Sequence, residues 1–171
     1  QDQIARSADG SYVAVRDDAP AGPGGQPTVF VRRLDARGNP VGAETSIARG
    51  SNPGVATFSD GSFLVTWLAP PPPTFTLTVE VQGQVFDASG APAGAVLALG
   101  VTGASARPTA LADGSFVLAT FGNFSRVNGP SGFVRGYTRT GAETGFVAPL
   151  HEDACGIQGP PGVAGASPPG V

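Results

Sequence analysis

The sequence predicts an all-β protein made of three tandem, four-stranded antiparallel repeats, and three observations carry that expectation. The first is composition. Among 171 residues there are 26 Gly and 17 Pro, with 13% charged and 40% hydrophobic residues. That is about half the usual charged share, in a chain too apolar for a disordered tract. The second is a recurring Asp-Gly-Ser-aromatic landmark, at Asp9–Tyr12, Asp60–Phe63 and Asp113–Phe116. The third is a glycine turn, in "LDARGNPVG" from Leu34, "FDASGAPAG" from Phe86 and "YTRTGAETG" from Tyr137. Both landmarks return every ~52 residues, and two independent landmarks keeping one period are the mark of stacked structural units.

Each repeat has the same grammar. A first strand runs into Asp-Gly, where glycine supplies φ > 0 at no steric cost and Asp tolerates it. A second strand follows, "SYVAV", "SFLVTWL" or "SFVLAT". These near-continuous apolar runs predict strands covered on both faces. Next comes a loop that differs in every repeat. The third strand alternates: Val79, Val81 and Val85 face one way, and Glu80, Gln82 and Gln84 the other. The glycine turn then leads into a weaker fourth strand. Tyr12, Phe63 and Phe116 should be equivalent core positions, as should Leu34, Phe86 and Tyr137. The expected unit is blade-like, as in a β-propeller, with a three-fold β-prism or β-trefoil as the alternative, because propellers use four to eight blades.

One domain, residues 1–171, is expected, with repeats at about 1–51, 52–105 and 106–157. The tail 158–171 reads as a partial fourth repeat or an exchanged strand, since "PGVA" at Pro53–Ala56 recurs at Pro161, Gly162, Val163 and Ala164. A surplus first strand can pair with the sheet edge of a neighbouring subunit and satisfy its open N–H and C=O groups; a head-to-tail contact that does not close gives a filament.

Charge narrows the partners. All ten basic residues are Arg and the formal net charge is −3, with no Arg-rich stripe to neutralise phosphates, so nucleic acid is not expected. No apolar run reaches membrane-spanning length. Cys155 is the only cysteine, so no intrachain disulfide is expected, though pairing between chains is open. The chain starts at Gln1 and has no Met, the expected look of a processed product, with secretion favoured over excision from a longer polypeptide.

The pattern "DGSFLVTW … VQGQVFDASGAPAG", best in Val55–Gly94, resembles a repeat found many times over in large secreted and surface proteins of bacteria. "RRLDARGNPVG" matches its second half, while the third repeat lacks the Asp after its aromatic. The resemblance implies propeller-like blades in adhesin-like extracellular proteins, and it brings no catalytic residues.

Catalytic, cofactor and firm metal residues are therefore not assigned. Asp9, Asp60 and Asp113 are calcium candidates, against a calcium loop that would need several oxygens at alternate positions; a turn role is the competing reading. His151–Cys155 is the densest cluster of ligand-type side chains, but neighbours along an extended chain point apart. Trp67, Phe75 and Phe124 are candidates for stacking on a sugar, with long loops as the natural place for a site. The functional expectation is a non-enzymatic extracellular structural or adhesive protein that self-associates, with filaments formed through the terminal strand. The alternatives are a carbohydrate-binding module with a glycan partner and a calcium-stabilised fragment of a surface adhesin.

Overall fold

The computed structural model describes residues 2–18, 25–70, 79–102, 105–122 and 131–149. All secondary structure among them is β: twelve strands in three four-stranded antiparallel sheets, each made of strands consecutive in the chain. Sheet 1 comprises β1 (Asp2–Arg6), β2 (Tyr12–Asp17), β3 (Thr28–Leu34) and β4 (Pro40–Arg49). Sheet 2 comprises β5 (Ser51–Thr57), β6 (Phe63–Leu68), β7 (Glu80–Phe86) and β8 (Leu97–Thr102). Sheet 3 comprises β9 (Ser105–Ala110), β10 (Phe116–Gly122), β11 (Ser131–Tyr137) and β12 (Glu143–Pro149). No closed barrel forms among the described strands; the three units are separate four-stranded sheets. No helix there is long and apolar enough to cross a membrane.

The repeat alignment is a register alignment. Tyr12 pairs across the strands with Leu34, Phe63 with Phe86, and Phe116 with Tyr137. Phe63 stacks on Phe86 with centroids 5.1 Å apart, and Phe116 on Tyr137 at 5.3 Å. These four rings are buried, whereas Tyr12 and Leu34 are half-buried.

The reason lies in how the sheets stack. β5 packs across β1 and β2, and β9 across β5 and β6. One face of each sheet meets the opposite face of the next. Val13, Val15, Val29 and Val31 of sheet 1 pack on Val55, Phe63, Val65 and Trp67 of sheet 2. The other face of sheet 2, with Leu64, Leu68 and Val85, packs on Phe116, Leu118 and Tyr137 of sheet 3. We call the face that each sheet turns to the next, with Val13 in sheet 1 and Leu64 in sheet 2, the forward face, and the opposite one, with Phe63 in sheet 2 and Phe116 in sheet 3, the rear face. Sheet 2 is covered on both, and every residue of β6 is buried. In β2, buried and half-buried residues alternate. Double coverage, expected for all three second strands, thus holds among the described residues for the middle sheet alone, because there sheets 1 and 3 each have one neighbouring sheet.

The turn chemistry also differs from expectation. Ser7–Ser11, Phe58–Ser62 and Leu111–Ser115 close by the same pair of backbone bonds, from the glycine N–H to the first carbonyl and from the first N–H to the serine carbonyl. This is a three-residue loop: a type I turn followed by glycine in the left-handed region. Gly10, Gly61 and Gly114 have φ of 87°, 82° and 83°, while none of the three Asp residues has positive φ. The carboxylate serves as an acceptor instead. Asp9, Asp60 and Asp113 Oδ1 each take the N–H and the hydroxyl of the serine two residues on. Asp35 and Asp87 do the equivalent work in the second turns of sheets 1 and 2. In sheet 3 the Thr138 hydroxyl stands in and accepts the Ala142 N–H.

Gln84 takes a place that the alternation alone left open. It alternates with Val85 as predicted, but it is buried, and its amide donates to the carbonyls of Val85 and Gly94. Gln84 shares its side of β7 with Phe86, which lies in the seam with sheet 1, while Glu80 on the same side stays exposed.

Candidate functional site

The antiparallel topology puts the first and second turns of every sheet at one end, giving a rim of six short, internally bonded turns. The opposite end carries the end of each second strand and the start of each third, at Asp17 and Thr28, Leu68 and Glu80, and Gly122 and Ser131.

At the turn rim, side chains lock neighbouring sheets together. Arg139, in the second turn of sheet 3, reaches the first turn of sheet 2. Its Nη1 donates to Asp60 Oδ2 at 2.7 Å, and its guanidinium lies 4.2 Å above the Phe58 ring. Arg33 of sheet 1 donates to the Ser89 carbonyl of sheet 2 at 3.0 Å. Deeper in, the buried Tyr137 hydroxyl donates to the Leu99 carbonyl at 2.8 Å, and burial pushes its pKa up to about 12, so it stays a neutral donor. Thr57 Oγ1 donates to the Arg6 carbonyl, tying β5 to β1.

Beside the Arg139 clamp lies a cleft of about 550 Å³ between the turns of sheets 2 and 3. Asp60, Asp87, Arg139 and Thr140 form its polar lip, and Val85 and Leu97 line its apolar wall. Arg139 first, and Ser62 next, hold the Asp60 carboxyl well below the ordinary carboxylate range. The serine bonds do the same at Asp9, Asp87 and Asp113. Each of these groups is an anion engaged by fixed donors, suited to holding turns and sheets together.

The sign of the pH dependence follows. A carboxyl whose pKa is lower in the folded state than in the unfolded chain, where it is ~3.9, stabilises the fold above that value. The contribution is lost as pH falls through the lower, folded pKa. Thermal melts should therefore be flat from about pH 6 to pH 5 and fall steadily below about pH 4. Asp60→Asn should blunt that acid response more than Asp9→Asn does, since Asp60 also carries Arg139. Equal responses from the two variants would show the clamp to be energetically silent, as many exposed pairs are.

The structure brings few of the sequence candidates together. Asp9, Asp60 and Asp113 sit in three separate turns, and among the described residues no group of three or more His, Cys, Asp or Glu could hold a metal ion. Trp67 is 2% exposed, seated between sheets 1 and 2, with its indole N–H 3.2 Å from Gln82 Oε1; its ring has no open face for a sugar. Phe75, Phe124, His151–Cys155 and the proposed exchange strand Pro161–Ala164 lie outside the described residues. Sequence reading missed Arg139 and Phe58. The available signal was the third repeat's departure at its second turn, where Arg139 occupies the place of Ala36 and Ala88.

The two faces that no described residues cover complete the site. The rear face of sheet 1 exposes Ile4 at 60% and carries an Arg16–Glu44 pair, Nε to Oε1 2.9 Å, with the Arg16 guanidinium 4.3 Å above the Phe30 ring. The forward face of sheet 3 holds a groove that includes Val117, Gly136, Thr144 and Phe146, and Phe146 is 53% exposed. No protein-family model matches the chain, and no curated protein matches it.

Proposed function

We propose that this chain is a non-enzymatic structural or adhesive module of an extracellular or cell-surface protein, working by sheet-on-sheet self-association. The single observation that carries the reading is the unequal covering of three equivalent sheets. Among the described residues sheet 2 is sandwiched, while sheets 1 and 3 each leave bare the face that their counterparts bury. An architecture that repeats one interface twice and then leaves both halves of it open is built to be continued. The six bonded turns and the inter-sheet clamps support a rigid structural role. The resemblance of the repeat to those of secreted bacterial surface proteins supports the location. In that setting filament growth through the tail at 158–171 is one mode of assembly.

The test is sedimentation and negative-stain microscopy of the purified chain over a range of concentrations. The expected result is particles larger than one chain at the higher concentrations. A strict monomer throughout would reject the reading.

A further inference from the structure

We infer that the partner of the two bare faces is a second copy of this chain, and that two copies close a ring of six sheets in which Arg107 of each meets Asp2 of the other. The inference rests on the self-association reading and gives it a partner, a stoichiometry and a contact.

The placement comes from the register. Arg6, Thr57 and Ala110 pair with the three landmark aromatics Tyr12, Phe63 and Phe116. Counting back along the first strands, Ile4, Val55 and Pro108 are counterparts; so are Gln3, Gly54 and Arg107; so are Asp2, Pro53 and Ala106. The cross-strand partners agree, since Gln3 pairs with Val15, Gly54 with Thr66 and Arg107 with Ala119. At the seam between sheets 2 and 3, a Cβ on Gly54 would lie 2.6 Å from Pro108 Cδ and 2.7 Å from the Ala106 carbonyl oxygen. The Gly54 position of one sheet therefore faces the Pro108 and Ala106 positions of the next. Continued once more, the same relation sets Arg107 of sheet 3 against Ile4 and Asp2 of another copy's sheet 1.

Three features fit that continuation. Arg107 is a half-buried cation that shares the forward face of sheet 3 with Ala119, where a carboxylate of another copy can approach its guanidinium. Asp2 is exposed and anionic. Arg107 has a side chain where Gly54 has none, and the seam between sheets 1 and 2 already takes Gln3 at that position, so a contact of that spacing has room. Nearer the turns, apolar matches apolar: Val117 and Phe146 on the forward face, Tyr12, Leu34 and Ile4 on the rear face. The Arg16–Glu44 pair neutralises itself and can be covered as a pair.

The first strands make the main approach between sheets, with slighter ones from β3 to β5 and from β8 to β10, as expected where blades radiate from a common axis. Propellers close with four to eight blades. Three sheets fall short of that range, and two copies related by a two-fold axis supply six with every face covered.

The experiment is analytical ultracentrifugation of the whole chain with Arg107→Asp, Asp2→Arg, the double charge swap, and Phe146→Asp. Circular dichroism of each variant confirms the β fold, and Phe146 is exposed enough to change without unfolding the sheet. The wild type should sediment at twice the 17.0 kDa chain mass. Each single variant should dimerise about tenfold or more weakly, and the double swap should recover most of the loss. A ladder of larger species or filaments would overturn the ring while leaving the self-association reading standing. A folded wild-type monomer would overturn both. Single charge variants that dimerise like the wild type would overturn the Arg107–Asp2 contact.

Discussion

Replacing Phe63 with Ala should cost about 3–5 kcal/mol in a urea titration, the range for removing a fully buried ring. Phe63 is 1% exposed and pairs in register with Phe86, on which it stacks with the planes 11° apart. The ring also lies in the seam with sheet 1, among Val13, Val15 and Val31. Truncation would remove transfer energy, leave a cavity between two sheets that are held at a fixed spacing by their turns, and forfeit the ~0.5–1.5 kcal/mol of a favourable aromatic pair. Phe116→Ala should behave alike, since Phe116 is 0% exposed and stacks on Tyr137. Tyr12→Ala, at the equivalent place in sheet 1, should cost clearly less, because Tyr12 is half-buried and no sheet covers that face among the described residues. If all three cost the same, burial between sheets is not what distinguishes them. If Phe63→Ala falls within the ~0.5 kcal/mol scatter of surface changes, the repeat-derived core is wrong.

Gly54→Ala should be the next most damaging single change, at about 1–3 kcal/mol, and Gly54→Val should be worse. The reason is space and not backbone conformation, since Gly54 is not among the positive-φ glycines. A Cβ there would lie 2.6–2.7 Å from Pro108 Cδ, the Ala106 carbonyl oxygen and Thr66 Oγ1. Two of these belong to β9 itself, a proline ring and a backbone oxygen, which cannot swing aside as a long side chain can. β5 and β9 would have to part, loosening the seam that buries Phe116, Leu118 and Tyr137. Gln3→Ala, at the equivalent position of sheet 1, is the control and should fall within about 0.5 kcal/mol. Measured stabilities in which Gly54→Ala is as mild as Gln3→Ala would mean that the two inner strands are not held that closely.

The amino-acid sequence by itself determined everything that depends on a few consecutive residues. Asp-Gly-Ser-aromatic specifies a turn because the carboxylate and the two donors that bind it are two residues apart, and because glycine alone sits comfortably at the last turn position. Recurrence of that motif, with the second glycine turn, fixed the number of sheets and the cross-strand aromatic pairs. Local chemistry could not say which sheet lies in the middle. "YVAV", "FLVT" and "FVLA" are much alike as strings, yet only the second is buried throughout, because burial there is conferred by the sheets on either side. Tertiary structure decided as well that Trp67 is core rather than a ligand platform, that Gln84 is buried, and that Arg139 finds Asp60 across 79 residues of chain. Each of these outcomes is set by what stacks against a strand, and stacking brings together residues a full repeat apart.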